Sequence, residues 1–108
     1  MPIITLSSEN FDEIMECPEI VFLDFWASWC VPCKQFATII EKASELYPEL
    51  IFAKIDVDKE QELAASFNIL SVPQLMVMKK GTVIYSQSGV HTLKTIKELV
   101  EQAQVAEV

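Results

Sequence analysis

Two cysteines stand three residues apart in Trp29-Cys30-Val31-Pro32-Cys33, between an apolar run and a helical pattern. In the first turn of a helix this spacing puts both on one face, with backbones about 5–6 Å apart. That lies inside the range a disulfide requires, so the bond can open and close without moving the fold. A helix start offers unpaired N–H groups and the positive end of the helix dipole, which stabilise a thiolate and lower its pKa. Cys30, nearer the opening, should receive most of this. Cys33, one turn in, should be more buried and hold its proton longer. Pro32 falls in the first turn, where a missing N–H costs little. The chemistry is thiol–disulfide exchange: Cys30 attacks a disulfide, and Cys33 then attacks Cys30 and releases the reduced target. Two other readings compete. The pair could be small buried hydrophobes, or half of a zinc site. Zinc wants four ligands from Cys, His and carboxylates, and besides the pair the chain offers only Cys17 and His91, with no second close pair. A lone Cys-x-x-Cys near a βαβ pattern reads as redox, and no metal is expected.

Asp24 lies within Ile20-Val-Phe-Leu-Asp-Phe-Trp26, a run apolar on both parities. A carboxyl there meets a covered face whichever way it points, so its pKa should rise toward neutrality. Such a group is suited to carry a proton to or from Cys33; the bland alternative is a strand-end Asp reaching water. Trp29 suits an exposed contact surface for protein substrates, and Trp26 suits packing beneath the pair. Cys17, before Pro18, reads as an inert, partly buried thiol. His91 reads as a solvent-facing loop residue, and Met76 and Met78 as core.

These residues need a scaffold. Ile3–Leu6 reads as a short strand. Ser7 or Ser8 would cap a helix carrying Phe11, Ile14 and Met15, which Pro18 stops. Residues 20–26 form a central strand with helices on both sides. A helix over about 31–47 carries the stripe Phe36, Ile39, Ile40, Ala43, Leu46, Tyr47. Residues 51–57 are a strand, and Asp58 with Gln61 resembles a capping box for a helix ending near Phe67. Residues 75–78 and 82–87 flank Lys80-Gly81 as an antiparallel hairpin. Thr92 caps a last helix with Leu93, Ile96, Leu99, Val100 and Ala103 inward. The order β-α-β-α-β-α-β-β-α implies an α/β fold: a mixed central sheet, parallel crossovers first and a hairpin last, with helices on both faces.

The 108 residues suit one domain over 1–108. With 51% apolar and 22% charged residues, 2 Gly and 5 Pro, disorder and low complexity are excluded. Eight Lys, no Arg and 16 acidic residues give a net charge of −8, a poor match for nucleic acid or anionic lipid. No apolar run nears the roughly 20 residues of a membrane span. The start, Met-Pro-Ile-Ile-Thr-Leu, lacks the basic flank of an export signal, so a cytoplasmic protein is expected, where a close cysteine pair is chemical more often than structural; a monomer is the expected state.

Three segments together resemble the thioredoxin family: Phe-Trp-Ala-Ser-Trp-Cys-Val-Pro-Cys-Lys (25–34), Ala-Lys-Ile-Asp-Val-Asp (53–58), and Ser-Val-Pro-Gln-Leu (71–75) with Lys-Lys-Gly (79–81). The match runs nearly end to end. It implies the thioredoxin fold and protein-disulfide reductase activity. It further implies a buried acid at Asp24, moderated by a neighbouring Lys54 (otherwise a lysine snorkelling to the surface). It implies a cis bond before Pro73, with the ring against the dithiol. Val72 would offer backbone hydrogen bonds to an extended substrate, as in strand addition, and Gly89 would let that chain approach. No bound cofactor is implied beyond the Cys30–Cys33 disulfide itself. A flavoprotein thioredoxin reductase, fed by NADPH, would recharge the pair, and disulfide-containing client proteins would be its substrates. Val31 stands where the family commonly has Gly, Gln74 where Thr often follows the proline, and Leu70 where a basic residue can occur; these alter the docking surface or the potential. A dithiol oxidase or isomerase of more oxidising potential, or a non-catalytic interaction module, are the alternatives.

Overall fold

The computed structural model describes residues 3–108, so residues 1–2 of the expected domain lie outside it. The elements run β1 (Ile4–Thr5), α1 (Phe11–Met15), β2 (Ile20–Trp26), α2 (Val31–Leu46), β3 (Ile51–Asp56), α3 (Gln61–Ser66), β4 (Gln74–Lys79), β5 (Thr82–Ser88) and α4 (Leu93–Val105). One five-stranded sheet has the order β1-β3-β2-β4-β5. β1, β3 and β2 run parallel, and β4 and β5 join antiparallel. The expected mixed sheet with a terminal hairpin is therefore present. Lys80 (φ 53°) and Gly81 (φ 77°) form its turn, both left-handed, as a tight hairpin demands.

β2 sits at the centre, and its alternation divides two cores. Ile20 and Phe22 point to the side of α2 and α4, where they meet Phe36, Ile40, Ile96, Leu99 and Val100. Val21, Leu23 and Phe25 point the other way, into a second cluster with Ile14, Ile55, Met76 and Met78. Each fully buried side chain of this size stabilises the fold by about 1.5–3 kcal/mol. Phe22 stacks on Phe52 across the strands, with centroids 5.2 Å apart. A rigid β2 results, and its C-terminal end delivers Asp24, Trp26 and the cysteine loop to one edge of the molecule.

Three local expectations are corrected. Neither Ser7 nor Ser8 caps α1; Asn10 occupies the cap position without a side-chain cap bond. Its side chain is engaged elsewhere, accepting from the Ser7 N–H (2.8 Å) and donating to the Thr5 carbonyl (3.0 Å). Asp58 does not cap α3, whose cap position is Glu60. Asp56 Oδ1 instead accepts the N–H groups of Asp58 and Lys59, and Asp58 is left free for another partner. Thr92 does cap α4, accepting from the Thr95 N–H. His91, expected in solvent, is only 8% exposed, because both ring nitrogens and one ring face have partners inside the fold.

Candidate active site

α2 begins at the dithiol. Cys30 is its cap residue, in extended conformation, and the Cys33 N–H donates to Cys30 Sγ across 3.2 Å. Pro32 occupies the first turn. The two cysteines are joined as a disulfide with Cα atoms 5.3 Å apart, within the spacing expected of a first helical turn. Exposure barely distinguishes the two residues: Cys30 is 4% and Cys33 2% exposed. The expected contrast in burial is therefore slight in this oxidised form. What separates them is position, because Cys30 alone receives a backbone N–H at the helix start.

The loop before β4 closes over the pair. The Val72–Pro73 bond is cis, and the Val72 carbonyl oxygen lies 3.7 Å from Cys30 Sγ. Pro73's carbonyl accepts the Gly89 N–H across 2.8 Å. Gly89 has φ +102°, and the space where a Cβ would stand is open to 4 Å. Val72 thus borders Cys30, and Gly89 is hydrogen-bonded to the residue that follows Val72. Trp29 is 68% and Leu70 95% exposed. With Val57, Ile69, Ser71 and Val72 they line a mostly apolar groove of about 120 Å³. Trp29 is not free to swing: its indole N–H donates to Asp58 Oδ2 across 2.9 Å. The sequence reading missed that role for Asp58, whose partner lies 29 residues away. Val31 is exposed beside Cys30.

Beneath the dithiol, Asp24 is 4% exposed, and its Oδ1 has no hydrogen-bond partner among the described residues. Burial pushes its carboxyl up from 3.8 to about 7, and the Lys54 charge pulls partly the other way. Lys54 stands opposite Asp24 in the parallel β2–β3 register, and its Nζ lies 5.7 Å from the centre of the Trp26 ring. Half-buried Trp26 packs against the cluster of Ala27, Cys30 and Cys33. Asp24, Cys33, Lys34, Ala37, Trp26 and Lys54 surround a cavity of about 130 Å³, room for more than one water. Among the described residues, no three His, Cys, Asp or Glu side chains converge as a metal site. Among the described residues, no helix is long and apolar enough to cross a membrane.

Comparison with known proteins agrees with this geometry. The family model described as Thioredoxin matches residues 2–102. The putative thioredoxin 2 of Streptomyces coelicolor is 40% identical over 94% of this chain and 75% of its own. The thioredoxin of Bacillus subtilis is 36% identical over 94% of this chain and 98% of its own. Among solved structures, that of Plasmodium falciparum thioredoxin superposes with a TM-score of 0.84 at 35% identity, covering 93% of this chain and 98% of the other.

Proposed function

The chain belongs to the thioredoxin family and is a disulfide-reducing oxidoreductase, and from that premise we propose the roles of its residues. Cys30 is the attacking sulfur. The N–H of Cys33 aimed at Cys30 Sγ, at the start of a 16-residue helix, is the observation that carries this assignment. In the reduced chain that donor and the helix dipole favour negative charge on Cys30 over Cys33. The Cys30 thiolate attacks one sulfur of a client disulfide; the Cys30–client bond forms, and the second client sulfur leaves as a thiolate. Cys33 then attacks Cys30 Sγ, the internal disulfide forms, and the first client sulfur leaves. Two electrons pass from the chain to the client, whose two thiolates take up protons from solvent.

Asp24 takes the proton from Cys33 as that thiol becomes the nucleophile. A carboxyl near 7 exchanges protons at neutral pH, and the cavity it shares with Cys33 gives water a place to bridge them. Lys54 limits how far that carboxyl rises. Val72, Pro73 and Gly89 bind the client segment as an added strand, and Trp29 and Val31 contact it. A flavoprotein reductase using NADPH returns the two electrons, and the chain works as a monomeric single domain in the cytoplasm, where a dithiol stays reduced. Insulin reduction with dithiothreitol tests the assignment. The parent chain precipitates the insulin B chain, and Cys30→Ser does not; a Cys30→Ser variant as fast as the parent would leave an interaction module without chemistry.

A further inference from the structure

We propose that His91 is a positioning residue for client docking: it holds the Gly89 peptide, and through it the Val72–Pro73 edge, in place beside Cys30. The inference rests on the disulfide-exchange reading above. Nδ1 of the buried ring lies 2.9 Å from the Gly89 carbonyl oxygen, and Nε2 lies 2.8 Å from the Tyr85 hydroxyl. A carbonyl can only accept, so Nδ1 carries the hydrogen, and in the neutral ring Nε2 accepts from Tyr85. Burial pushes the Tyr85 hydroxyl up from its ordinary 10, which keeps the donated proton in place. The ring also packs 5.7 Å, centre to centre, from Phe36, three residues after Cys33. One side chain therefore ties β5, α2 and the segment before α4 together.

Gly89 needs such an anchor. It has no side chain to pack and sits at φ +102° with open space above it. Its place is held from one side by its N–H on the Pro73 carbonyl and from the other by His91 on its own carbonyl. Pro73 in turn follows Val72, whose carbonyl borders Cys30 Sγ. A leucine at 91 would fill the space but leave Gly89 without that donor. His91 is not among the residues around the Asp24–Cys33 cavity, and the effect proposed for it is on client docking.

The test compares the parent chain, His91→Leu and His91→Asn. Readouts are KM and kcat for insulin disulfides, the rate of Cys30 alkylation by iodoacetamide, and thermal unfolding. His91→Leu should raise KM by about three- to tenfold, the range one net hydrogen bond carries, with kcat and alkylation within about twofold. Asparagine keeps an N–H near the position of Nδ1 and should restore most of the parent KM. Should the leucine variant not fold, His91→Gln, which reaches Tyr85 but not Gly89, replaces it with the same expected rise. An unchanged KM overturns the proposal, as does alkylation that falls in step with client turnover, or an asparagine variant as impaired as the leucine one. A parent chain that leaves insulin oxidised removes the exchange reading, and the role of His91 with it.

Discussion

Replacing Asp24 with asparagine should remove most of a pH dependence of stability that this one carboxyl imposes. Its folded value of about 7 lies above the ordinary 3.8. Such a group favours the folded state less as pH rises. Below about pH 4 it is protonated in both states, and nothing is lost. Between about 4 and 7 the unfolded chain ionises while the folded chain does not. Above about 7 the folded state must carry the buried charge, and the loss is complete. At about 1.4 kcal/mol per pH unit, the interval between 3.8 and about 7 corresponds to about 4 kcal/mol. Roughly 3 kcal/mol of it falls between about pH 5 and pH 8.5. The asparagine amide is itself a polar group in a buried position, at a cost of about 1–3 kcal/mol, so the net gain at alkaline pH is smaller. The slope is the cleaner readout. Urea unfolding of the oxidised protein, followed by Trp fluorescence, gives stability at both pH values for both chains. The Asp24→Asn variant should gain about 3 kcal/mol relative to the parent between acid and alkaline conditions. Parallel curves, with a constant difference between the two chains, would refute the buried, elevated carboxyl and with it the proton relay.

Further outcomes follow from the same geometry. Lys54→Met removes the charge that restrains Asp24, so in the same unfolding series the pH-dependent loss should begin at the same pH but run on to higher pH and grow larger. Cys33→Ser should stall at the Cys30–client mixed disulfide, seen as a covalent adduct by non-reducing mass spectrometry, whereas Cys30→Ser should form none. Leu70→Asp should raise KM for an apolar client segment several-fold and leave iodoacetamide labelling of Cys30 unchanged, since it alters the groove beside Trp29 and not the helix start. Lys79 Nζ donates to the carbonyls of Ala103, Gln104 and Ala106 at the end of α4. Lys79→Met should therefore cost about 1–3 kcal/mol in urea unfolding without altering insulin reduction.

The parts of this molecule written in local pattern were legible from the sequence. β2 reads as central because Ile20–Trp26 is apolar on both parities, and it is the strand hydrogen-bonded on both sides. The stripe Phe36–Ile40–Ala43 faces the sheet as its spacing requires, and the helix it belongs to puts the dithiol at its start. Asp24's burial followed from its neighbours alone. What escaped the sequence depends on partners distant in the chain or on competition between nearby polar groups. His91 looks like a loop residue because nothing in Gly-Val-His-Thr announces that Tyr85 and the Gly89 carbonyl will satisfy both its nitrogens. Asp58 looks like a helix cap, but Asp56 takes the turn's N–H groups first and Trp29 takes Asp58. Ser7 and Ser8 lose the α1 start because Asn10 bridges back to Ser7 and Thr5. The isomer at Pro73 has no local signature, and only the family resemblance suggested it.

The most direct test of the whole account is alkylation of the reduced chain with iodoacetamide over a pH series, each sulfur followed separately by peptide mass spectrometry. Cys30 should label first, at least about tenfold faster than Cys33 near neutral pH, with a midpoint well below the roughly 8.5 of an ordinary thiol. Equal, slow labelling of both sulfurs with midpoints near that ordinary value would mean that the helix start does not activate Cys30.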